Sequence, residues 1–435
     1  MFDFSALIGL IGFAVMLLMV VFGVPIFVAM LLPAMAGIWL IGGSNFALIQ
    51  LTTGPYNITA QYSWAILPLF LLMGVLAADS GMAEGAYTAI AKWVPNVRGS
   101  ILMVTVGANA MFGAVSGSPP AAAIIFAKLA LPEVEKFGYD KKLSLATMAA
   151  AGILVVLIPP STGTIVLAIL TNISIGKALI AGIIPGIITM FVFCLTIWVW
   201  GIIHPKRLPL VNLKESWRAK FSSLKLVWPI MALFLLLVGG LYLGVYPPTI
   251  AGAIGASGVL IYAIVRRVKG RTLLASFKES VLLNGQLFIL MIAGFMFSRF
   301  IALSGLAGTF NNVIVETSIP PLAVMALVMV FYIFAGIVGE VFPMLIVTLP
   351  VVFPLLTSLG FDPYMLCIVL ILLMAIGGLT PPLGMPVFII ASIAKVDPME
   401  VFKGIWPFFW AELALCWIFV LIPETCTWLP SLAYQ

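Results

Sequence analysis

The sequence predicts an all-α polytopic membrane protein made of two inverted-topology repeats, each with a re-entrant helical hairpin and a broken transmembrane helix. Three observations predict it. Hydrophobic residues form 63% of the chain and charged residues 8%, far outside the range of soluble domains. Apolar runs of about 20 residues recur without the alternation of barrel strands. Two polar, glycine-broken tips, Gly113-Ala-Val-Ser116-Gly117-Ser118-Pro119-Pro120 and Gly336-Ile-Val-Gly339-Glu340-Val-Phe-Pro343, each lie between apolar runs too short to cross a bilayer. Bare backbone at membrane depth is tolerated where it is buried in protein or lines a wet cavity, so such tips mark a binding site.

The tips are 223 positions apart, and further anchors keep an offset of 222 to 224. Ser80-Gly81 maps to Ser304-Gly305, Gly138-Tyr-Asp140 to Gly360-Phe-Asp362, and Leu157-Ile-Pro159-Pro160 to Leu379-Thr380-Pro381-Pro382. Constant spacing in constant order is the signature of an internal duplication. The expected division is a first repeat over 1–201, a basic linker over 202–224, a second repeat over 225–422 and a periplasmic tail over 423–435.

In chain order, apolar crossings are expected at 5–22, 25–41 and 64–79, with a polar connection over 42–63. The first run lacks a basic leader and a small-residue cleavage site, so it reads as a membrane helix. Residues 80–98 suit an amphipathic helix at the interface. The first hairpin follows at about 100–131. The segment 144–172 is interrupted at Pro159-Pro160-Ser161-Thr162-Gly163, because proline removes a backbone donor and blocks the preceding turn. A crossing at 178–201 leads to the basic linker, which the positive-inside rule makes cytoplasmic. Crossings at 225–243, 248–265 and 284–302 follow, then the second hairpin at about 321–357. A second broken segment, 363–394, is interrupted at Thr380-Pro-Pro-Leu-Gly384, and a last crossing runs over 404–422. Five crossings per repeat turn the second copy upside down relative to the first. Inverted repeats whose broken helices meet near the midplane are the architecture of secondary transporters.

The chemistry available is that of hydroxyls, carbonyls and few charges. Half-helix N-termini suit an anionic substrate and exposed carbonyls suit a hard cation such as Na+. Ser116, Ser118, Ser161, Thr162 and Thr380 add hydroxyl oxygens. The plain alternative is that these hydroxyls bond back to helix carbonyls. Arg299 and Glu340 are intramembrane charges and so candidate substrate contacts; Arg299 snorkelling outward, or pairing with Glu340, are the alternatives. Glu412 reads as structural. Cys194, Cys367, Cys416 and Cys426 lack paired or metal-ligand spacing, and His204 is the single histidine, so no resident metal, haem or disulfide framework is expected. No reactive cluster for an intramembrane enzyme is visible.

On Gly113-Ala-Val-Ser-Gly-Ser118, Leu157-Ile-Pro-Pro-Ser161 and Leu379-Thr-Pro-Pro-Leu-Gly384, the chain resembles the large membrane subunit of tripartite ATP-independent periplasmic (TRAP) transporters, DctM-like, over essentially its whole length. It departs at Pro119-Pro120, where that family more often has small residues. The resemblance implies an elevator-type fold like that of the ion transporter superfamily, in the bacterial inner membrane. It implies uptake of a small organic acid coupled to two or more Na+ ions. One Na+ site would involve Ser116, Gly117, Ser118, Pro159 and Gly336, the other Gly339, Thr380, Pro381 and Gly384. It also implies two partners, a small four-helix DctQ-like membrane subunit, expected as a separate chain, and a periplasmic substrate-binding protein. A stand-alone Na+/dicarboxylate symporter of related inverted-repeat fold is the alternative. The division of the chain favours an elevator independently. Residues 5–41 and 225–265 are plain helices fit for a frame, whereas the irregular elements form one block that can slide, tethered near 80–98 and 272–283.

Overall fold

The computed structural model describes residues 4–211, 215–306, 308–309, 319–338, 341–382 and 384–433. The first half comprises α1 (Phe4–Val21), α2 (Ile26–Thr59), a 3-10 turn (Tyr62–Ala65), α3 (Ile66–Asp79), α4 (Met82–Trp93), α5 (Ser100–Ser116), α6 (Pro119–Lys136), α7 (Lys141–Ala151), α8 (Ile153–Leu157), α9 (Thr162–Leu170), α10 (Ile175–Ala181) and α11 (Ile183–Ile203). The second comprises α12 (Trp217–Tyr242), α13 (Pro248–Val265), α14 (Gly270–Ser304), α15 (Pro321–Val338), α16 (Val341–Ser358), α17 (Pro363–Gly377), α18 (Met385–Ala394), α19 (Pro398–Leu421) and α20 (Glu424–Leu432). Among the described residues, eight helices are long and apolar enough to cross a membrane, and the α7–α8 segment with α9 makes a ninth span bent by 46°.

Helix pairs α5–α6 and α15–α16 fall where the two hairpins are expected, and α7–α8/α9 and α17/α18 where the two broken segments are expected; residues 339–340, between α15 and α16, lie outside the described residues. Local structure recurs at the repeated anchors. Ser80 and Ser304 each donate to the carbonyl three residues back (2.9 and 2.8 Å), and Gly81 and Gly305 follow in the left-handed region. Asp140 caps α7 by accepting from Leu143 N at 2.9 Å, and Asp362 caps α17 by accepting from Met365 N at 3.0 Å. Pro159–Pro160 and Pro381–Pro382 are both cis.

Helices α1, α2, α3, α12, α13 and α14 pack beside the irregular elements as a layer in which α2 lies on α14, α14 on α3, and α3 on α13. The core lies between this layer and the hairpins; α5 and α17 are buried along most of their lengths. Helix α4 bridges the two sides. Trp93 Nε1 donates to Ser223 Oγ on α12 at 3.3 Å, and Tyr87 Oη donates to Glu133 Oε2 on α6 at 3.0 Å. Burial first, then the charge of Glu133, holds the Tyr87 phenol above its usual range, so it remains a neutral donor.

Three stretches differ from expectation. The polar connection over 42–63 is mostly helix: α2 bends at Gly43 (φ 82°) and continues to Thr59. Its threonines bond back to helix carbonyls, Thr53 to Ile49 at 2.7 Å and Thr59 to Pro55 at 2.8 Å, so their polarity is absorbed within the helix. Residues 272–283 are the start of the 35-residue α14 and not a separate interfacial piece. There Ser276 Oγ lies 2.6 Å from Asp79 Oδ2 and 3.0 Å from Thr272 O. The tail contains α20, which buries Cys426 and Pro430.

The linker is pinned to the loops flanking the first hairpin: Arg98 Nη1 donates to Pro205 O at 2.7 Å, and Asp140 N donates to Arg207 O at 2.8 Å. These basic loops therefore share one end of the bundle. The charge rule makes that end cytoplasmic. Cysteines introduced at exposed Lys206 and Ser358 are expected to react with impermeant thiol reagents from opposite membrane faces. Labelling of both from one face rejects this topology.

Candidate functional site

The first hairpin ends where α5 stops at Ser116. Gly117 takes the left-handed conformation (φ 60°), Ser118 is extended, and Pro119 starts α6. Ser116 Oγ accepts a long bond from Ser118 N at 3.4 Å. The joint in the first broken helix lies against this tip: Thr162 Oγ1 donates to Gly117 O at 3.0 Å, and a Cβ on Gly117 would stand 2.6 Å from Pro160 O. On the other side, a Cβ on Gly74 of α3 would lie 1.9 Å from Ser116 O. The tip is thus held backbone to backbone between α3 and the joint.

At the joint, α8 ends at Leu157, and Ser161 caps α9 by accepting from Thr164 N at 3.2 Å. Among the described residues, no backbone N–H bonds to the carbonyls of Ile158, Pro159 or Pro160. Such groups need a partner, and a hard cation or water supplies one. The N–H groups of Thr162 and Gly163, in the first turn of α9, have no acceptor among the described residues either. They make α9 an anion-favouring terminus. Helix α6 is poorer in this respect, because Pro119 and Pro120 carry no N–H.

In the second hairpin, Gly336 of α15 meets α17 closely. A Cβ there would lie 2.6 Å from Met374 O and 2.8 Å from Gly377 Cα. The corresponding first-half contact is Gly113 against Val155, 3.2 Å to Cα. Gly339 and Glu340, both named from the sequence, lie outside the described residues. The start of α16 reaches the first joint, where a Cβ on Gly163 would be 3.3 Å from the Phe342 ring. In the second joint, Thr380 Oγ1 donates to Gly377 O at 2.6 Å and is 3.4 Å from Ile376 O, so its hydroxyl is bonded back to the helix end. Pro381 is half-buried. A Cβ on Gly384 would lie 2.8 Å from Gly378 O, which folds the two sides of the joint onto each other.

The structure therefore brings Ser116, Gly117, Ser118, Pro159, Ser161 and Thr162 together, and joins them through Gly163 and Phe342 to the second hairpin. Arg299 is exposed and lines a separate cavity of about 280 Å³ between α2 and α14, with Gln50, Asn57, Gln61 and Ser298. The open carbonyls lie elsewhere, at the first joint. Two residues escaped the sequence reading. Thr164 is buried in the first turn of α9 with its hydroxyl unpartnered. Asn109, two turns back from the first tip, is buried with Oδ1 unpartnered while Nδ2 donates to Thr105 O at 2.9 Å. Thr164 lies one residue beyond the Ser161-Thr162-Gly163 run, whereas a lone Asn in an apolar helix carries no such pointer.

The sequence matches the family described as "Tripartite ATP-independent periplasmic transporter, DctM component" over residues 13–425. It is similar to the ectoine TRAP transporter large permease protein TeaC of Halomonas elongata, 28% identical over 85% of this chain and 86% of that one. It is also similar to the C4-dicarboxylate TRAP transporter large permease protein DctM of Vibrio cholerae, 27% identical over 95% of each. The fold resembles that of the YdaH transporter of Alcanivorax borkumensis, with a TM-score of 0.67, 14% identity, and coverage of 94% of this chain and 98% of that one.

Replacing Gly74 by Ala puts a methyl group against the Ser116 carbonyl, which the tip cannot move without losing its seat on the joint. The expected cost is about 1–3 kcal/mol, read as a lower unfolding midpoint in detergent. An unchanged midpoint means that the tip is free to shift.

Proposed function

We propose, from the chain's membership of the DctM family of tripartite ATP-independent periplasmic transporters, which the match over residues 13–425 establishes, that it takes up a small organic acid anion coupled to Na+. It is a large permease subunit, and its family implies a small membrane subunit and a substrate-binding protein as partners. We take the small subunit to be a separate four-helix chain, the binding protein to be periplasmic and the membrane to be the bacterial inner membrane.

The observation that carries the coupling is the meeting of Gly117 with Thr162 beside the unpaired carbonyls of Ile158, Pro159 and Pro160. The first Na+ site is assigned to Ser116, Gly117, Ser118 and Pro159 with Gly336, and the second to Thr380, Pro381 and Gly384 with Gly339. Oxygen ligands of this kind suit a hard cation. The carboxylate of the substrate is assigned to the α9 terminus, at the Thr162 and Gly163 N–H groups with the hydroxyls of Ser161 and Thr164. Ser116, Ser118, Thr380, Glu340 and Arg299 complete the proposed substrate contacts, Arg299 from the outer cavity. A cation on the joint carbonyls favours the anion beside it, and by linkage the anion favours the cation equally. The substrate class in the name of the C4-dicarboxylate relative suits this chemistry, since two carboxylates need two electropositive termini, and α9 and α18 both begin at joints.

For movement, the hairpins and broken helices act as one block in an inverted-repeat elevator, and α1, α2, α12 and α13 with their neighbours act as the frame. Helix α4, bonded to the frame through Trp93–Ser223 and to the block through Tyr87–Glu133, is the arm between them.

In proteoliposomes supplied with the receptor and a Na+ gradient, Ser116→Ala, Ser118→Ala and Thr380→Ala are each expected to weaken apparent Na+ affinity roughly tenfold, the loss of one oxygen ligand. Receptor binding should change much less. A full set of variants with unchanged Na+ dependence removes these residues from the site.

The elevator is checked by cysteine pairs joining Ala114 on α5 to either Leu67 on α3 or Ser80 just past its end, positions about 10 Å up and down that helix from Gly74. Cross-linking of one pair during turnover supports sliding. Transport that persists while neither pair ever forms, with pairs across the two repeats opening instead, identifies rocking.

A further inference from the structure

At the end of the bundle that carries the basic linker lies a pocket of about 60 Å³, walled by Asp140, Lys142, Trp200, Arg207, Lys403 and Gly404. Three separate elements each bring one cation to it: Lys142 in the first turn of α7, Arg207 in the linker, and Lys403 in the second turn of α19. Asp140 is the one acid in the wall, and its carboxylate is already occupied. One oxygen caps Leu143 N at 2.9 Å, and the other is 4.0 Å from Arg207 Nε. A surplus of two positive charges therefore surrounds a space of roughly two water volumes, on the scale of a single tetrahedral phosphate group.

The walls are fixed by backbone contacts. A Cβ on Gly404 would lie 2.3 Å from Lys142 O, and Asp140 N donates to Arg207 O at 2.8 Å. Trp200 stacks on His204 with ring centroids 4.7 Å apart. Exposed Trp198 and Trp406 (43% and 48%) stand on the two helices that border the pocket, as side chains do at the headgroup level of a bilayer. Basic pockets between helices on the cytoplasmic side recognise anionic headgroups, and an arginine fork is well matched to phosphate oxygens.

We propose that this pocket binds a phosphate group, either that of an anionic phospholipid of the inner leaflet or free phosphate. The bound group bridges α7 of the first half and α19 of the second. The test uses the purified full chain and follows its unfolding midpoint against added phosphatidylglycerol, an uncharged glycolipid, or inorganic phosphate. Wild type should be stabilised by at least one phosphate-bearing ligand and not by the glycolipid. Lys142→Gln and Lys403→Gln should each raise the concentration required roughly fivefold, and the Lys→Arg variants should restore it. A response to phosphatidylglycerol alone identifies a lipid site, and a response to inorganic phosphate identifies a free-anion site. Equal responses in wild type and both Gln variants, or no response to either ligand in wild type, overturn the proposal. Both lysines are exposed, so the substitutions leave the packed interior untouched.

Discussion

The constraint on which this structure depends is that backbone N–H and C=O groups cannot be left bare in hydrocarbon. Two stretches of unwound chain at the first tip and first joint would each be costly alone, since an unsatisfied buried polar group costs on the order of 1–3 kcal/mol. Here they are stacked on each other. Gly117 O takes the hydroxyl of Thr162, and Pro160 O points at the space where Gly117 has no side chain. What the protein leaves open, the carbonyls of the joint and the first N–H groups of α9, is a polar surplus of both signs within one small region. A cation and an anion that arrive together resolve it better than either alone.

The rest of the packing serves that arrangement. The frame helices are largely apolar and face lipid with large side chains. The buried helices of the block, α5 and α17, are closed in on nearly every side. The polar bonds that join the two sides are chiefly those of α4, Trp93–Ser223 and Tyr87–Glu133. The rest of that boundary is mostly apolar contact, with little directional bonding across it.

Much of this was legible in the sequence. Proline and glycine punctuate an apolar chain unambiguously, so the hairpins, both joints and the repeated anchors Ser80-Gly81 and Gly138-Tyr-Asp140 could be read from spacing. The region 42–63 could not, because threonines in a helix look like a loop until their hydroxyls are seen bonding to carbonyls one turn back. The same effect joined residues 272–283 to α14, where Ser276 lies close to its own helix and to Asp79 at the end of the neighbouring α3. At the site, the hydroxyls could be named but their partners could not. Thr380 turns back onto its helix while Thr162 reaches across to the tip, and nothing in the two local sequences distinguishes those fates. Gly74 is a similar case: its contact with Ser116 joins residues 42 positions apart, and no periodicity reports it.

The two matched hairpin contacts are not equally close. Gly336 faces Gly377 with a virtual separation of 2.8 Å, whereas Gly113 faces Val155 at 3.2 Å. The first copy has room for a branched side chain on its broken helix, and the second has none for even a methyl group. The two halves are therefore not interchangeable at this contact: a valine at Gly377 would meet the Ile333 carbonyl and Gly336. The tighter seat ties the second hairpin to its own broken helix, while the first hairpin is held between its broken helix and α3. The two hairpins are therefore unlike in their seating: the second is wedged against one neighbour, and the first is clasped by two.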